Sequence, residues 1–121
     1  MSKSFLMIAA ALLFVGTALP ASAQNYGAIA YSPRTGASGY SYDFGNRARA
    51  ERAAMRQCRL RGRGCRIAVW FRDGCGAVAS GPRGWGSGWG ANRQIARRQA
   101  LRQCRRFSGR CQIRVRACTT R

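Results

Sequence analysis

The chain contains two copies of one arginine-rich segment, and each copy ends in a pair of cysteines. Residues 46–58 read NRARAERAAMRQC and residues 92–104 read NRQIARRQALRQC, which places the copies 46 positions apart. In both copies a second cysteine follows after six intervening residues, at Cys65 and at Cys111. A repeat of this length predicts two copies of one structural unit.

The similarity also covers the start of each unit. Residues 27–30 read GAIA and residues 76–79 read GAVA, and these segments lie 49 positions apart. The loops within the two units therefore differ by about three residues. We place the two repeats at about residues 26–71 and 75–118.

Residues 1–23 have the features of a secretory signal peptide. Lys3 supplies a positive start, residues 5–19 form a short apolar run, and Ala21-Ser-Ala23 is a small-x-small cleavage site. The run lacks the basic flank that would retain it as a membrane anchor. We therefore expect residues 24–121 to form a single secreted or periplasmic domain, with no transmembrane segment after cleavage.

The domain expected after cleavage contains six cysteines, and the whole chain contains no histidine. An even number of cysteines in a small exported domain indicates three disulfides. Without histidine or a Cys-x-x-Cys pair, no metal site is expected. The repeat favours joining each helix-end cysteine to the next cysteine and leaves two strand cysteines for each other: Cys58 with Cys65, Cys104 with Cys111, and Cys75 with Cys118.

Each unit reads as two strands, a helix and a third strand. Asn46 and Asn92 are expected to cap Ala-rich helices that end near Arg61 and Phe107, before glycine-containing breaks. The expected architecture is α+β, with an antiparallel sheet of about six strands and both helices on one face. It is built from a duplicated β-β-α-β unit and braced by disulfides.

The third strand of each unit alternates apolar and polar residues. A period of two predicts that the apolar side chains share one face: Ile67, Val69 and Phe71 in the first unit, and Ile113, Val115 and Ala117 in the second. Trp70, Arg114 and Arg116 are placed on the opposite faces.

The charge of the chain has almost one sign. Without Lys3, 21 arginines remain against Asp43, Glu51 and Asp73, a net charge of +18. This exceeds what solubility requires, and it predicts attraction of polyanions at long range. The expected compartment argues against nucleic acid as the biological partner.

Each predicted helix places arginines opposite a stripe of small residues. Ala50, Ala54 and Cys58 fall on one side of the first helix, as their counterparts do in the second. We expect the opposite sides to form one anion-binding surface made of Arg52, Arg56, Arg59, Arg98, Arg102 and Arg105. The alternative is that these faces are only solvated, which would favour Arg114, Arg116 and the tryptophans.

The sequence does not predict an enzyme or a cofactor. Without histidine the usual general base and every Ser-His or Cys-His pair are missing, and nothing in the repeat pairs the three acids. Residues 84–90, GWGSGWG, lack the lysine and hydroxyl of a phosphate-binding loop and suit a strand. Five aromatic residues are candidates either for stacking on sugars or bases or for the core: Trp70, Trp85, Trp89, Tyr40 and Tyr42.

Several motifs resemble those of a bacterial exported family, domain of unknown function 4189. They are YGAIAYSP at 26–33, YSY at 40–42, CRIAVWF at 65–71, CGAVA at 75–79 and GWG at 88–90. The resemblance covers the whole chain after the signal peptide. It implies a small secreted or periplasmic module and brings no assigned activity, cofactor or functional residue.

Three functions remain open at this point. The first is a non-enzymatic binding or structural module whose arginines contact an anionic envelope polymer, such as lipopolysaccharide phosphates or peptidoglycan carboxylates. The second is an inhibitor or interaction protein that presents a disulfide-braced scaffold to an acidic partner protein. The third is an enzyme of unrecognised type. The sequence leaves the oligomeric state open.

We predict that export removes residues 1–23, because the Ala21-Ser-Ala23 triplet matches the small-residue preference of signal peptidase. Intact-mass measurement of protein exported by its own host should find a chain that begins at Gln24. A retained apolar segment, or a start several residues away, would contradict the prediction.

Overall fold

A computed structural model describes residues 25–120, so the expected signal peptide, its cleavage site and Arg121 lie outside the described residues. The order of elements is β-β-α-β twice, as the repeat predicts. The elements are β1 Tyr26–Tyr31, β2 Ser38–Phe44, α1 Arg47–Arg61, β3 Arg66–Arg72, β4 Cys75–Gly81, β5 Gly84–Gly90, α2 Arg93–Arg105 and β6 Gln112–Cys118.

Both helices begin at the predicted caps. The Asn46 side-chain oxygen accepts a hydrogen bond from the Arg49 N–H at 2.9 Å, and Asn92 accepts from Ile95 at 3.0 Å. Each cap satisfies one of the N–H groups that a first helical turn leaves without a partner.

The α+β class, the six antiparallel strands and the disulfide bracing are confirmed. The strands are divided between two sheets of three, in the orders β2-β1-β3 and β5-β4-β6, where the sequence predicted a single sheet. The reason is visible in β1, which is apolar on both faces. Ala28 and Ala30 pack under α1, whereas Ile29 and Tyr31 pack with Val78 of the other sheet. A central strand buried on both sides needs a layer on each side.

The molecule therefore has four layers, in the order α1, first sheet, second sheet, α2. The core between the sheets consists of Ile29, Tyr31, Val69, Phe71, Val78 and Ala117. Helix α2 packs on the outer face of the second sheet through Ala96 and Ala100. Each helix covers one face of its own sheet. The two helices consequently lie on opposite sides of the molecule, which corrects the expectation that both share one face.

Each helix approaches the hairpin strand beneath it closely enough to exclude side chains. A Cβ on Gly88 would lie 2.5 Å from the Ala100 nitrogen and 2.5 Å from the Ala96 oxygen of α2. Gly39 and Gly86 face the backbones of α1 and α2 in the same way. The alternate glycines of GWGSGWG are therefore the helix-facing positions of β5, and the segment is a strand, as expected from its sequence.

A β-bulge interrupts the third strand of each unit. The register shifts between Ile29 and Ala30 opposite β3, and between Val78 and Ala79 opposite β6. An extra residue in one strand changes which side chains share a face. As a result Ile67 and Ile113 pack toward the helices, whereas Val69, Phe71, Val115 and Ala117 pack between the sheets. The prediction that each apolar trio shares one face is wrong for this reason.

The three disulfides join the pairs that the repeat favours. Cys58 bonds to Cys65 and Cys104 to Cys111, each across seven positions, and Cys75 bonds to Cys118 across 43. The last pair is specific to the second unit. At the matching place in the first unit Tyr26 lies opposite Arg72, whose guanidinium sits 5.5 Å from the centre of the tyrosine ring.

We predict that Gly88→Ala lowers the free energy of unfolding by about 2 kcal/mol or more, because the added methyl group meets helix backbone that cannot move aside alone. Urea unfolding of the oxidised protein measures this change. Gly45→Ala is the matched control, since no atom lies within 4 Å of its added Cβ. Equal effects of the two substitutions would show that the close helix approach does not matter for stability.

Candidate anion-binding site

The six arginines predicted to bind anions are all exposed, but they lie on two separate surfaces. Arg52, Arg56 and Arg59 belong to α1, and their counterparts belong to α2 on the other side of both sheets. No contact joins the two helices within residues 25–120. The single surface expected from Arg52, Arg56, Arg59, Arg98, Arg102 and Arg105 is therefore not formed, because each helix covers a different sheet.

The three carboxylates engage only a small part of the arginine surface. The Glu51 carboxylate accepts from the Arg47 guanidinium at 2.6 Å, and Asp73 lies 3.6 Å from Arg72 in an exposed pair. Asp43 accepts from both the N–H and the hydroxyl of Thr120. Each acid has a local structural partner, and most of the guanidinium groups in the described part of the chain face solvent.

One concave surface collects arginines from two elements. We call it the α2–β6 groove. Its central part has a volume of about 330 Å³ and is lined by Arg97, Ile113, Arg114, Val115 and Arg116. A second part of about 420 Å³ runs along the helix and is lined by Gln94, Arg97, Arg98, Leu101 and Arg105. Arg97 belongs to both parts, and no carboxylate lines either one.

The repeat shows that this groove is specific to the second unit. Aligning the two copies from Asn46 with Asn92 places different residues at three positions of the central part: Glu51 opposite Arg97, Ala68 opposite Arg114, and Trp70 opposite Arg116. All three differences introduce arginine in the second copy.

In the first unit the corresponding place is neutralised. Arg47 donates to the Glu51 carboxylate, and its guanidinium carbon lies 4.4 Å from the centre of the Trp70 ring. An ion pair and a cation–π contact thus engage the Arg47 guanidinium. The second unit has neither the carboxylate nor the indole at these positions.

Hydrogen bonds fix one of the groove arginines in place. Arg114 Nε donates to the Ser80 hydroxyl at 2.8 Å, and Nη1 donates to the Gln112 side-chain oxygen at 3.3 Å. Arg114 occupies the bulge of β6, the feature that brings both Arg114 and its neighbours into the wall of the groove. A guanidinium that is already held in position loses less conformational entropy when it binds an anion.

The sequence-based hypothesis missed Arg97 and gave Arg114 and Arg116 only as an alternative. Of the α2 residues predicted to bind anions, Arg98 and Arg105 line the groove and Arg102 does not. The sequence does contain a signal that identifies Arg97. When the two repeats are aligned, Arg97 corresponds to Glu51, so the charge at this position has opposite signs in the two copies.

The five aromatic candidates divide into core and surface residues. Trp85 packs against the inter-sheet core, with its ring centre 5.7 Å from that of Tyr31. Trp70 and Trp89 are 39% and 60% exposed and line a cleft of about 540 Å³ where β3 lies beside β5. Tyr40 and Tyr42 stack on each other on the other side of the sandwich, with ring centres 6.4 Å apart.

Within residues 25–120 no group of three or more cysteine, aspartate or glutamate side chains is arranged to hold a metal ion. In the same range, neither helix is long and apolar enough to span a bilayer.

The fold and the disulfide pattern define a class of small domains built from a duplicated, disulfide-braced β-β-α-β unit. The model of one family, Domain of unknown function (DUF4189), matches residues 26–118, and the chain belongs to this family. The chain is also similar to the NMR structure of Rv1813c from Mycobacterium tuberculosis, with 37% identity and a TM-score of 0.57. That match covers 78% of this chain and 74% of the other. No functionally curated protein matches the chain.

We predict that Arg97→Glu raises the free energy of unfolding by about 0.5 kcal/mol at low salt. The substitution replaces the repulsion between Arg93 and Arg97, four positions apart on α2, with an ion pair like that of Arg47 and Glu51 on α1. Urea unfolding at two salt concentrations measures the gain, which should shrink as salt rises. The reverse substitution, Glu51→Arg, should lower stability by a similar amount. A loss of stability in Arg97→Glu would contradict the interpretation that Arg97 is an unpaired charge.

Proposed function

We propose that this protein is an exported, non-enzymatic binding module whose α2–β6 groove holds an anionic envelope polymer. The family has no assigned activity, so the proposal stands on the chain's own residues. Three disulfides support an oxidising compartment, in which such bonds form and persist.

The observation that carries the proposal is the convergence of the three repeat differences. Helix exteriors are charged by default, and arginines on a convex helix face have no need of a ligand. The α2–β6 groove is different, because Arg97, Arg114 and Arg116 replace a carboxylate, a methyl group and an indole at one concave place. Collecting like charges in a groove is unfavourable until a counter-charge enters it.

Guanidinium groups suit phosphate and carboxylate oxygens. Each presents a planar set of N–H donors that bind two oxygens of one anion, and it stays charged at every physiological pH. The groove continues along α2 past Arg98 and Arg105, which suits a ligand that repeats its negative charge along a chain. The net charge of +18 would attract such a polymer before contact is made.

The same features support a role that does not involve catalysis. No histidine is available as a general base, and Asp43, Glu51 and Asp73 are each engaged in separate local contacts. A carboxylate pair of the kind that hydrolyses glycosides would need two acids on facing sides of one cleft. No acid lines either part of the α2–β6 groove.

The test compares two variants that remove the same number of charges from opposite sides of the molecule. Arg97→Gln with Arg116→Gln should weaken binding to lipopolysaccharide or to peptidoglycan sacculi about tenfold or more, since each tenfold step needs only about 1.4 kcal/mol. The slope of log affinity against log salt should fall by about 1.5 to 2. The control, Arg52→Gln with Arg56→Gln, should change both quantities much less.

Equal losses in the two double variants would mean that net charge alone governs binding and that the groove has no special role. Lipopolysaccharide and sacculi are tested separately to distinguish phosphate from carboxylate ligands. A complex of fixed stoichiometry with one acidic envelope protein, stable in moderate salt and formed without polymer binding, would instead support the interaction-protein function.

A further inference from the structure

The cleft beside β3 and β5 is a second concave surface, separate from the α2–β6 groove. We call it the β3–β5 cleft. Its volume is about 540 Å³, within the range of small-molecule sites. It is lined by Tyr26, Trp70, Arg72, Ser87, Trp89, Gln99 and Gln103, with residues 68, 69 and 71 of β3 at its base.

Two of its walls are indole rings that the fold does not need for its core. Trp70 is 39% exposed and Trp89 is 60% exposed, whereas Trp85 packs into the inter-sheet core. Tyr26 lies beside Trp70, with ring centres 6.2 Å apart. The Arg47 guanidinium lies over one face of the Trp70 ring, so Trp89 offers the more open flat face, which favours a ligand with a flat or ring-shaped apolar face.

Polar side chains in the cleft retain hydrogen-bonding capacity. The Gln99 side-chain oxygen accepts a hydrogen bond from the backbone N–H of Trp89 at 3.3 Å. The NH₂ group of this amide remains available as a donor. Ser87 and Gln103 offer a hydroxyl and a second amide, and neither side chain has a hydrogen bond within the described part of the chain. Amide and hydroxyl groups together match the hydroxyl groups of a sugar, which both donate and accept.

The cleft also has a basic group at its rim, because Arg72 lines it directly. No carboxylate is among the residues that line the cleft. Asp73 lies 3.6 Å from Arg72, but this pair is exposed on both sides and therefore weak. A ring ligand with a negative group is consequently favoured over a neutral one.

The repeat explains why the cleft occurs on one side of the sandwich. Gly39 of β2 and Gly86 of β5 meet equivalent helix positions, at the Cys58 and Cys104 nitrogens, which aligns the two strands. By this alignment Ser87 corresponds to Tyr40 and Trp89 to Tyr42. On the other side, where β2 lies beside β6, the two tyrosine rings stack on each other at an angle of 9°. Ser87 leaves open the position that the Tyr40 ring takes there.

We propose that the β3–β5 cleft binds a carboxylated hexose unit of an acidic glycan. The sugar ring lies against the indole of Trp89 with Trp70 at its edge, its hydroxyl groups bond to Ser87, Gln99 and Gln103, and its carboxylate meets Arg72. The cleft thereby selects a glycan among the anionic polymers. This inference rests on the proposed function in one respect only, which is that the ligand is an anionic polymer of the envelope.

The experiment uses the oxidised protein and three probes: oligogalacturonate as a carboxylated glycan, maltohexaose as a neutral glycan, and linear polyphosphate as an anion without rings. Calorimetry should find that Trp89→Ala weakens oligogalacturonate binding about tenfold or more and leaves polyphosphate binding unchanged. Tyr42→Ala, which removes the corresponding ring from the other side of the sandwich, should change neither affinity. Maltohexaose should bind more weakly than oligogalacturonate, because it lacks the group that meets Arg72.

A second readout locates the ligand without any substitution. The chain has three tryptophans, so the indole N–H signals in a nitrogen–proton NMR spectrum are three in number. Oligogalacturonate should shift the signals of Trp70 and Trp89 and leave that of Trp85 in place. Polyphosphate should shift none of them.

The outcomes separate this inference from the proposed function. If Trp89→Ala binds oligogalacturonate as well as the parent does, or if the Trp70 and Trp89 signals do not move, the glycan site is overturned and the groove is unaffected. If Arg97→Gln with Arg116→Gln binds polyphosphate as tightly as the parent, the groove is overturned while the cleft stands on its own measurements.

Discussion

The structure depends on direct backbone contact between each helix and the hairpin strand beneath it. Gly39, Gly86 and Gly88 face helix backbone at distances that exclude a side chain. The buried faces of both helices consist mainly of alanine, which permits this close approach. Few large side chains are fully buried, chiefly Phe71, Ile29 and Val78. An interior of small residues buries little apolar area per residue. Close approach and three covalent links therefore hold together a chain that carries strong self-repulsion.

Much of this architecture was predictable from the repeat. The element order, the two asparagine caps and the two helix-end disulfides follow from the offset between the copies, since equivalent residues must take equivalent positions. The third disulfide, Cys75 with Cys118, joins the two cysteines that the repeat leaves over. The arrangement of the layers was not predicted, although the sequence of β1 accounts for it. Four residues in a row, from Ala28 to Tyr31, are buried, and a strand without a polar face belongs in the middle of a stack.

The faces of β3 and β6 were mispredicted because period-two reasoning assumes an uninterrupted ladder. Nothing in Ala68 or Arg114 marks a bulge, which arises from the register with the central strand and not from local preference. The candidate site was only partly predictable for the same reason. Helical periodicity identified Arg98 and Arg105 in one part of the groove, but the central part, where Arg97 lies with Arg114 and Arg116, depends on the packing of β6 against α2.

The two units join the ends of their first and last strands by different means. We therefore expect these strand ends to differ in local stability. In the second unit Cys75 and Cys118 stay joined even when the surrounding hydrogen bonds break. In the first unit the matching ends, Tyr26 and Arg72, have no covalent link and are held by strand pairing, by a ring contact and by the hydrogen bond from the Asp73 N–H to the Asn25 oxygen. Strand ends without a covalent link open at lower free energy than linked ones. This unlinked end carries Tyr26, Trp70 and Arg72, so local opening there would change the width of the β3–β5 cleft while the disulfide-linked strand ends of the second unit stay joined.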